Sequence, residues 1–228
     1  MTTFLKNLKN IQKEVDIFVP SLQKDVKFKP LTLKHQKSIL DNVELNAISI
    51  IVFYNKLNDI IQELGNGDFN VVDRPNIILS LREKINKKYG KFDLSKLIES
   101  NKEIKPIDLV KTIETDDFIF ELASPSFKID SQSNKYLIQN FKTESKLLGK
   151  LYISELTKFT KSITIKNDNE KVEFSDLTVE EKFDIIENIS SSSITEVYSY
   201  IKEIREYEKQ FITQNDDIVE INPELFIL

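Results

Sequence analysis

The feature that most constrains this chain is a short sequence pattern that occurs twice. V-K-F-K-P-L-T-L at residues 26–33 returns as V-E-F-S-D-L-T-V at residues 172–179. An offset of 146 residues, which places Ile17 over Ile163, continues without a gap to Val43 over Ile189. The identical positions are those that a β-hairpin followed by a capped helix requires: one strand face, the helix cap and the buried helix stripe. They are Ile17, Val26, Phe28, Leu31, Thr32, Ile39 and Asn42.

Two explanations of this repetition remain open. A duplicated hairpin–helix module would give the protein two similar docking surfaces or a pseudo-symmetric body. Alternatively, any two hairpin–helix units share this apolar pattern. Both explanations predict the same fold class, α+β, with short antiparallel β-hairpins packed on long amphipathic helices.

The first half of the chain is predicted to contain one hairpin and several helices. Alternating apolar residues at 15–19 and 26–28 surround a Pro-Ser turn, which is typical of a hairpin. Thr32 stands where a helix cap is expected, and apolar residues then recur at three- and four-residue steps up to G-N-G at 65–67. A second helix is predicted from Pro75 to Gly90, and a short one after Asp93.

The second half is predicted to begin with strands and to end with helices. Residues 118–141 combine apolar runs with A-S-P-S and S-Q-S-N, which predicts a small antiparallel meander. A helix is expected at 146–160, followed by the second hairpin, and Thr178 and Glu181 have the spacing of a capping box. Ser190–Ser193 are expected to interrupt the pattern before a final helix. With Pro106 as the boundary, the chain divides into an N-terminal unit, 1–105, and a C-terminal unit, 106–228.

Composition excludes several classes of protein. Hydrophobic residues make up 40% and charged residues 30% of the chain, as in a soluble globular protein. The absence of cysteine excludes disulfides, thiolate metal sites and cysteine nucleophiles. A net charge of -5 gives no reason to expect a nucleic acid partner. We expect no cofactor, no signal peptide and no membrane span, because no run approaches the roughly 20 apolar residues that a span requires.

Few residues indicate chemistry. His35 is the only histidine and is expected to be a solvated helix residue, since a triad or a histidine metal site would need partners. G-N-G-D at 65–68 lacks the spacing and the lysine of a phosphate-binding loop. The acid pairs at 116–117 and 216–217 could join a distant carboxylate to hold magnesium. Adjacent acids in polar loops are more often simply solvated.

The chain ends with four apolar residues, Leu225, Phe226, Ile227 and Leu228. Leaving large apolar side chains in water forgoes about 1.5 to 3 kcal/mol for each of them. The segment is therefore expected either to form a last strand in the protein's own core or to add to a partner's sheet edge or groove.

The stretch D-I-F-V-P-S-L-Q-K-D-V-K-F-K-P-L-T-L, within roughly the first forty residues, resembles the start of the baseplate hub and hub-assembly proteins of T-even-like contractile-tailed bacteriophages. The resemblance implies a non-enzymatic hub component or assembly chaperone that binds other phage baseplate or hub proteins. It implies a location in the host bacterial cytoplasm or in the tail baseplate of the virion. Contacts are predicted at the first hairpin and at the C-terminus: Phe18, Pro20, Leu22, Leu225, Phe226, Ile227 and Leu228.

A different class of function is kept as the alternative: a magnesium-dependent nuclease or phosphotransfer enzyme that uses scattered acidic residues. Its test is structural, because the acids of such a site must converge in one concave pocket. The candidates are Asp73, Asp116, Asp117 and Asp176.

Overall fold

The computed structural model describes residues 13–41, 47–140 and 144–227, and it confirms the α+β fold class. The chain opens with a two-stranded antiparallel hairpin, β1 (Val15–Val19) and β2 (Lys24–Phe28), in which Ile17 lies opposite Val26. A short helix, α1 (Leu33–Leu40), follows, with Thr32 as its N-cap. The next helix is α2 (Ala47–Gly65), so the structure describes two helices where the sequence predicts one. Asn42 and Val43, the last two residues of the first occurrence of the repeat, lie outside the described residues.

Gly65 ends α2, as predicted, and its lack of a side chain has a steric reason. A Cβ atom at this position would lie 2.4 Å from Cε1 of Phe28, so a larger residue would push against the first hairpin. Beyond it, α3 (Arg74–Glu83) is shorter than the predicted helix. Gly90, with a φ of +55°, instead turns a small hairpin of β3 (Lys88–Tyr89) and β4 (Phe92–Asp93), since its backbone conformation suits glycine. The predicted short helix after Asp93 is α4 (Leu94–Asn101).

A four-stranded antiparallel sheet is the third sheet along the chain, with its strands in the order β5, β6, β7, β8. Two helices connect its middle strands, and two more follow its last strand, the first of them capped at Thr178 as predicted. The final helix begins at Ser191 with Ser190 as its N-cap, so three of the four serines belong to the helix rather than to a break. The elements are β5 (Val110–Glu114), β6 (Phe118–Ala123), α5 (Phe127–Asn140), α6 (Glu144–Phe159), β7 (Thr160–Ile165), β8 (Glu170–Glu173), α7 (Val179–Glu187) and α8 (Ser191–Gln210).

The prediction of an antiparallel meander at 118–141 is wrong beyond Ala123, because residues 127–140 form α5. The buried face of this helix explains the error. It carries Asp130, Ser131, Ser133 and Asn134 beside Phe127 and Leu137, so the helical period is present but four of its six buried positions are polar. Serine and asparagine also favour turns, which made S-Q-S-N resemble a loop.

The C-terminus returns to the first part of the molecule. After β9 (Thr213–Gln214) and β10 (Asp217–Ile218), a single 3-10 turn covers Pro223–Phe226. Leu225 and Phe226 are buried in the same hydrophobic core as the first hairpin, α2 and α3. One of the two expectations was that this segment packs in the protein's own core. Leu225 and Phe226 do so, but as part of a 3-10 turn rather than a strand. Its packing connects residues 219–226 to the predicted N-terminal unit.

A second hydrophobic core lies between the four-stranded sheet, α6 and α8. Phe120, Phe159 and Ile204 are among its fully buried members. Val72, from the turn that precedes α3, also lies in this core, so the segment just before α3 contributes to both cores. No helix in residues 13–41, 47–140 and 144–227 combines the length and apolar character that crossing a bilayer requires.

Candidate functional site

The turn of the first hairpin, residues 20–23, is here called the hairpin tip. Pro20 is buried, whereas Leu22 keeps 49% of its surface exposed. Gln23 takes a left-handed conformation with a φ of +49°, and its side-chain amide donates a hydrogen bond of 2.7 Å to the Pro20 carbonyl. The tip therefore presents an apolar side chain on a turn that is fixed by its own hydrogen bonds.

The hairpin tip is also bound to the rest of the protein through Asp73. The Ser21 backbone N–H donates to Oδ1 of Asp73, and the Ser21 hydroxyl donates to Oδ2, each at 2.7 Å. The Asn70 backbone N–H donates to the same carboxylate at 2.9 Å. Burial raises the pKa of Asp73 to about 6, against the lowering effect of these hydrogen bonds. Asp73 thus holds the tip in place through a carboxylate that sits entirely within the protein.

The other predicted contact residues fall into different environments. Phe18 is half-buried on β1, and Ile227 is 58% exposed. Leu225 and Phe226 are buried, and Arg82 donates a hydrogen bond from Nε to the Leu225 carbonyl. The side chains of Leu225 and Phe226, like Pro20 at the tip, are therefore covered by the protein itself rather than offered to a partner.

Leu228 lies outside the described residues. Of the predicted contact set, Leu22 and Ile227 carry the most accessible apolar surface in the part of the chain that the structure describes.

The structure does not bring the candidate acids together. Asp73 lies buried beneath the hairpin tip. Asp116 and Asp117 lie in the β5–β6 turn, where the Asp117 carbonyl accepts a hydrogen bond from Lys166 at 2.9 Å. Asp176 follows β8 at the opposite end of the sheet, beyond the pair Ser162 and Glu173.

The acid pair near the C-terminus is placed separately from these residues. Asp217 begins β10 and forms an ion pair with Lys91. Within the described ranges, no group of three or more histidine, aspartate, glutamate or cysteine residues could hold a metal ion.

A chain of six alternating charges crosses the middle of the molecule. Its members are Arg74, Asp130, Lys158, Glu155, Arg205 and Glu208, in the order of their contacts, and we call them the charge network. Arg74 Nη2 lies 2.6 Å from Asp130 Oδ2, and Lys158 Nζ lies 2.9 Å from Asp130 Oδ1. Lys158 also contacts Glu155 at 3.1 Å, and Glu155 pairs with Arg205. Arg205 reaches both oxygens of Glu208, at 3.0 and 2.7 Å.

Buried amides complete the hydrogen bonding of the charge network. The amide of Asn58 accepts from Arg74 Nε and donates to Asp130 Oδ2, both at 2.9 Å. Asn134 accepts from Lys158 Nζ at 2.9 Å. The Arg74 guanidinium also lies 4.9 Å from the centre of the Tyr54 ring. These contacts matter because a buried charge without partners would be strongly destabilising.

The pKa values of the acids follow from burial and neighbouring charge. Burial raises the pKa of Asp130, but the charges of Arg74 and Lys158 outweigh it and hold that pKa well below its usual range. Burial likewise opposes ionisation of Glu155, yet its basic neighbours lower its pKa to about 2. For Glu208, burial prevails over Arg205, and the pKa is raised. The three acids and three bases offset one another's charge. Because they belong to α3, α5, α6 and α8, their contacts hold these four helices together.

A cavity of about 420 Å³ opens beside the charge network. One wall is formed by the network itself, and the other by apolar side chains of α2, α6 and the C-terminal segment. Volumes of this size occur in small-molecule sites, which combine apolar walls with a few polar groups. The apolar wall includes Ile50, Ile51, Tyr54, Leu151, Ile212 and Ile221.

The sequence contained only a weak signal for the charge network. Glu155 and Lys158, and likewise Arg205 and Glu208, are spaced three residues apart on predicted helices. Such pairs are neighbours on any helix surface and are usually solvated. Asp130 lies in the segment whose pattern predicts strands, so the pattern indicates neither its helix nor its partners.

His35 is a correction to the sequence prediction. Its side chain is 11% exposed rather than solvated, and its Nδ1 accepts a hydrogen bond of 3.1 Å from the Thr32 backbone N–H. Nε2 lies 3.6 Å from Glu63 Oε1 on α2. The histidine therefore caps α1 and connects it to α2, which is a structural role.

Comparisons of the chain with protein families, with curated proteins and with solved structures find no match.

Proposed function

We propose that this chain acts by protein–protein contact, as a non-enzymatic hub component or assembly chaperone of a contractile phage tail baseplate. The observation that carries the proposal is the hairpin tip, where Leu22 is 49% exposed on a turn fixed by buried Asp73. An apolar side chain on a rigid turn loses little conformational entropy on binding, so its burial contributes more fully to affinity.

The position of the tip within the resemblance supports the same proposal. The residues that resemble baseplate hub proteins include the Pro-Ser turn at Pro20 and Ser21, and these two residues fix the tip. Pro20 is buried and Ser21 bonds Asp73, so the turn residues shape the loop while Leu22 provides the exposed surface. The proposed partners are other baseplate or hub proteins, and the proposed setting is the infected bacterial cytoplasm or the finished baseplate.

The test is co-expression of the chain with the baseplate proteins of its own phage, followed by co-purification. Leu22→Ser should reduce the recovered complex several-fold, because it removes apolar area from the contact. Leu33→Ser is the matched control, since Leu33 is 75% exposed at the start of α1, beyond the far end of the hairpin from the tip. Recovery of the complex unchanged by Leu22→Ser, or reduced equally by both substitutions, would remove the tip from the interface.

The C-terminal part of the proposed surface needs a gentler variant than deletion. Removing residues 224–228 would also remove Leu225 and Phe226 from the core, so lost binding would not be distinguishable from unfolding. Ile227→Ser changes only an exposed side chain. Reduced co-purification of a variant with wild-type thermal stability would support a C-terminal contact, and unchanged recovery would exclude Ile227 from it.

A further inference from the structure

A second cavity, of about 550 Å³, shares Lys158 of the charge network with the first cavity. It is bounded by the start of α5, the end of α6, the β7–β8 strands and α7. Its apolar lining includes Ile129, Phe159 and Phe174. The volume falls in the range of roughly 300 to 1,000 Å³ that small-molecule sites occupy.

Three lysines from three different elements line this cavity. Lys128 belongs to α5, Lys161 to β7 and Lys182 to α7. Across residues 13–41, 47–140 and 144–227, none of the three forms an ion pair with a carboxylate. Lys161 lies close enough to Glu121 for its charge to help lower the pKa of that carboxyl, but Glu121 is already paired with Lys171. Lys128 and Lys182 have no such neighbour among the ion pairs of the described residues.

The remaining charges in the cavity wall do not change this balance. Glu173 is the carboxylate that lines it, and it shares Lys171 with Glu121, at 2.8 Å and 3.0 Å respectively, so one acid stands against the four lysines of the wall. Lys158 is a fourth lysine in the wall, but it is paired with Asp130 and Glu155 in the charge network. The cavity therefore has a net positive wall.

Lys182 is the least exposed of the three lysines. Burial alone lowers the pKa of Lys182, because the ammonium group loses water and gains no opposite charge in return. Neutral donors are available beside the lysines. The Ser126 hydroxyl accepts from the Ile129 N–H at 3.5 Å, which leaves its own proton to donate, and Gln132 also lines the wall.

We propose that this cavity binds a small organic molecule that carries a phosphate group. The lysines, together with the Ser126 hydroxyl, supply the charge and the donors that several phosphate oxygens accept. Ile129, which is 43% exposed, and the half-buried Ala123 supply an apolar surface for the organic part. This site is separate from the hairpin tip, so it goes beyond the contact function and can be tested independently.

The test uses phenyl phosphate and inorganic phosphate as probes, with isothermal titration calorimetry and amide chemical shifts. Phenyl phosphate should bind more tightly than inorganic phosphate, because its ring adds apolar contact. Its amide shifts should be largest at Ser126, Lys128 and Thr160. The double variant Lys161→Gln and Lys182→Gln should weaken binding about tenfold or more, since each lost charged contact contributes more than a neutral one.

The matched control is the double variant Lys24→Gln and Lys27→Gln, which removes the same charge from exposed positions on β2. It should leave binding of phenyl phosphate within twofold of the wild type. Equal weakening by both double variants would show that only the overall charge matters and would overturn the proposal. The absence of saturable binding of either probe at millimolar concentration, or shifts concentrated elsewhere, would also overturn it.

Thermal unfolding of each variant shows whether it is folded. If the variant at Lys161 and Lys182 does not fold, the single substitution Lys161→Gln replaces it, because Lys161 is exposed. The comparison is then with Lys24→Gln alone. Binding weakened only by Lys161→Gln supports the cavity, and equal effects of the two single substitutions exclude it.

Discussion

The two hairpin–helix units of this chain share their local geometry closely. Ile17 lies opposite Val26 in the first hairpin, and the equivalent residues, Ile163 and Val172, lie opposite each other in the second. Each turn has a left-handed residue just before its second strand, with φ of +49° at Gln23 and +51° at Asn169. In both units a threonine then caps the helix, and its backbone N–H donates to the side chain three residues later.

The surroundings of the two units differ. The first hairpin is a two-stranded sheet whose tip is bound to Asp73, whereas the second is half of a four-stranded sheet with a polar turn at 166–169. The helices also bury different faces: Gln36 and Ile39 in α1, but Phe183 and Ile186 in α7. The matching residues therefore specify the unit, and the non-matching residues decide what it packs against.

The largest expected effect concerns the aromatic residue that both units bury. Phe28 is 0% and Phe174 is 2% exposed, each in a different core. Phe28→Ala and Phe174→Ala should each lower the free energy of unfolding by about 3 to 5 kcal/mol, through lost burial and the cavity left behind. Urea denaturation followed by circular dichroism measures both losses.

Leu33→Ala is the control for these substitutions, because Leu33 is 75% exposed and should change stability by less than about 0.5 kcal/mol. A loss of less than about 1 kcal/mol at one phenylalanine would show that the two positions are not structurally equivalent.

The next effect is a pH dependence of stability that distinguishes the two hairpin turns. Only the first turn is hydrogen-bonded to a buried acid, Asp73. The pKa of Asp73 is raised from 3.8 to about 6, so the folded protein binds more protons than the unfolded chain between these values. Its contribution to stability is present below about pH 4 and is lost as the pH rises through about 6. The loss amounts to roughly 3 kcal/mol, at 1.4 kcal/mol for each pKa unit.

Asp73→Asn should remove this pH dependence. The difference in unfolding free energy between wild type and variant is measured by urea denaturation at about pH 4 and pH 7, where Asp130 and Glu155 contribute equally to both proteins. The wild type should lose roughly 2.5 kcal/mol relative to the variant across this interval, since the carboxyl of the unfolded chain is already about half ionised at pH 4. A difference that stays constant with pH would mean that Asp73 titrates normally in the folded state.

The features that could be predicted from the sequence are those that depend on neighbouring residues. Both hairpins, both threonine caps and the glycine at the end of α2 were predicted because a strand alternation, a T-x-x-E spacing or a G-N-G stretch lies within a few positions. The Pro75–Gly90 helix was predicted too long because Gly90 suits a hairpin turn as well as a helix end.

The charge network and α5 could not be predicted for the opposite reason. Asp130 is held by Arg74 and Lys158, which lie 56 and 28 positions away in the sequence. A buried polar residue needs hydrogen-bond partners, and here these partners are distant in the sequence. No local sequence pattern therefore predicts its burial. His35 was misjudged in the same way, since Glu63 and the α1–α2 packing that bury it lie elsewhere in the chain.

A smaller effect tests the two caps. Thr178→Ala removes an acceptor for the Glu181 N–H, which lies 3.3 Å from the threonine hydroxyl, and should cost about 1 kcal/mol. Thr32→Ala should cost about the same, since the Thr32 hydroxyl lies 3.0 Å from His35 Nδ1, as the Thr178 hydroxyl lies 2.8 Å from Glu181 Oε2. Ser190→Ala is the control, because the hydroxyl of this N-cap contacts the hydroxyls of Ser192 and Ser193 but makes no capping hydrogen bond to the backbone. Thermal unfolding measures the loss of stability in each variant. A loss in only one of the two threonine variants would contradict the equivalence of the two caps.

The smallest effect separates two turns that share a backbone conformation. Glycine adopts a positive φ without strain but adds freedom to the unfolded chain, and these opposing terms leave Asn169→Gly within about 0.5 kcal/mol of the wild type. Gln23→Gly also removes the 2.7 Å hydrogen bond from the side-chain amide to the Pro20 carbonyl, so it should cost about 1 kcal/mol. Chemical denaturation of the two variants side by side measures the difference. If the two substitutions had equal effects, the glutamine side chain would not be what holds the hairpin tip, and Asp73 would hold it alone.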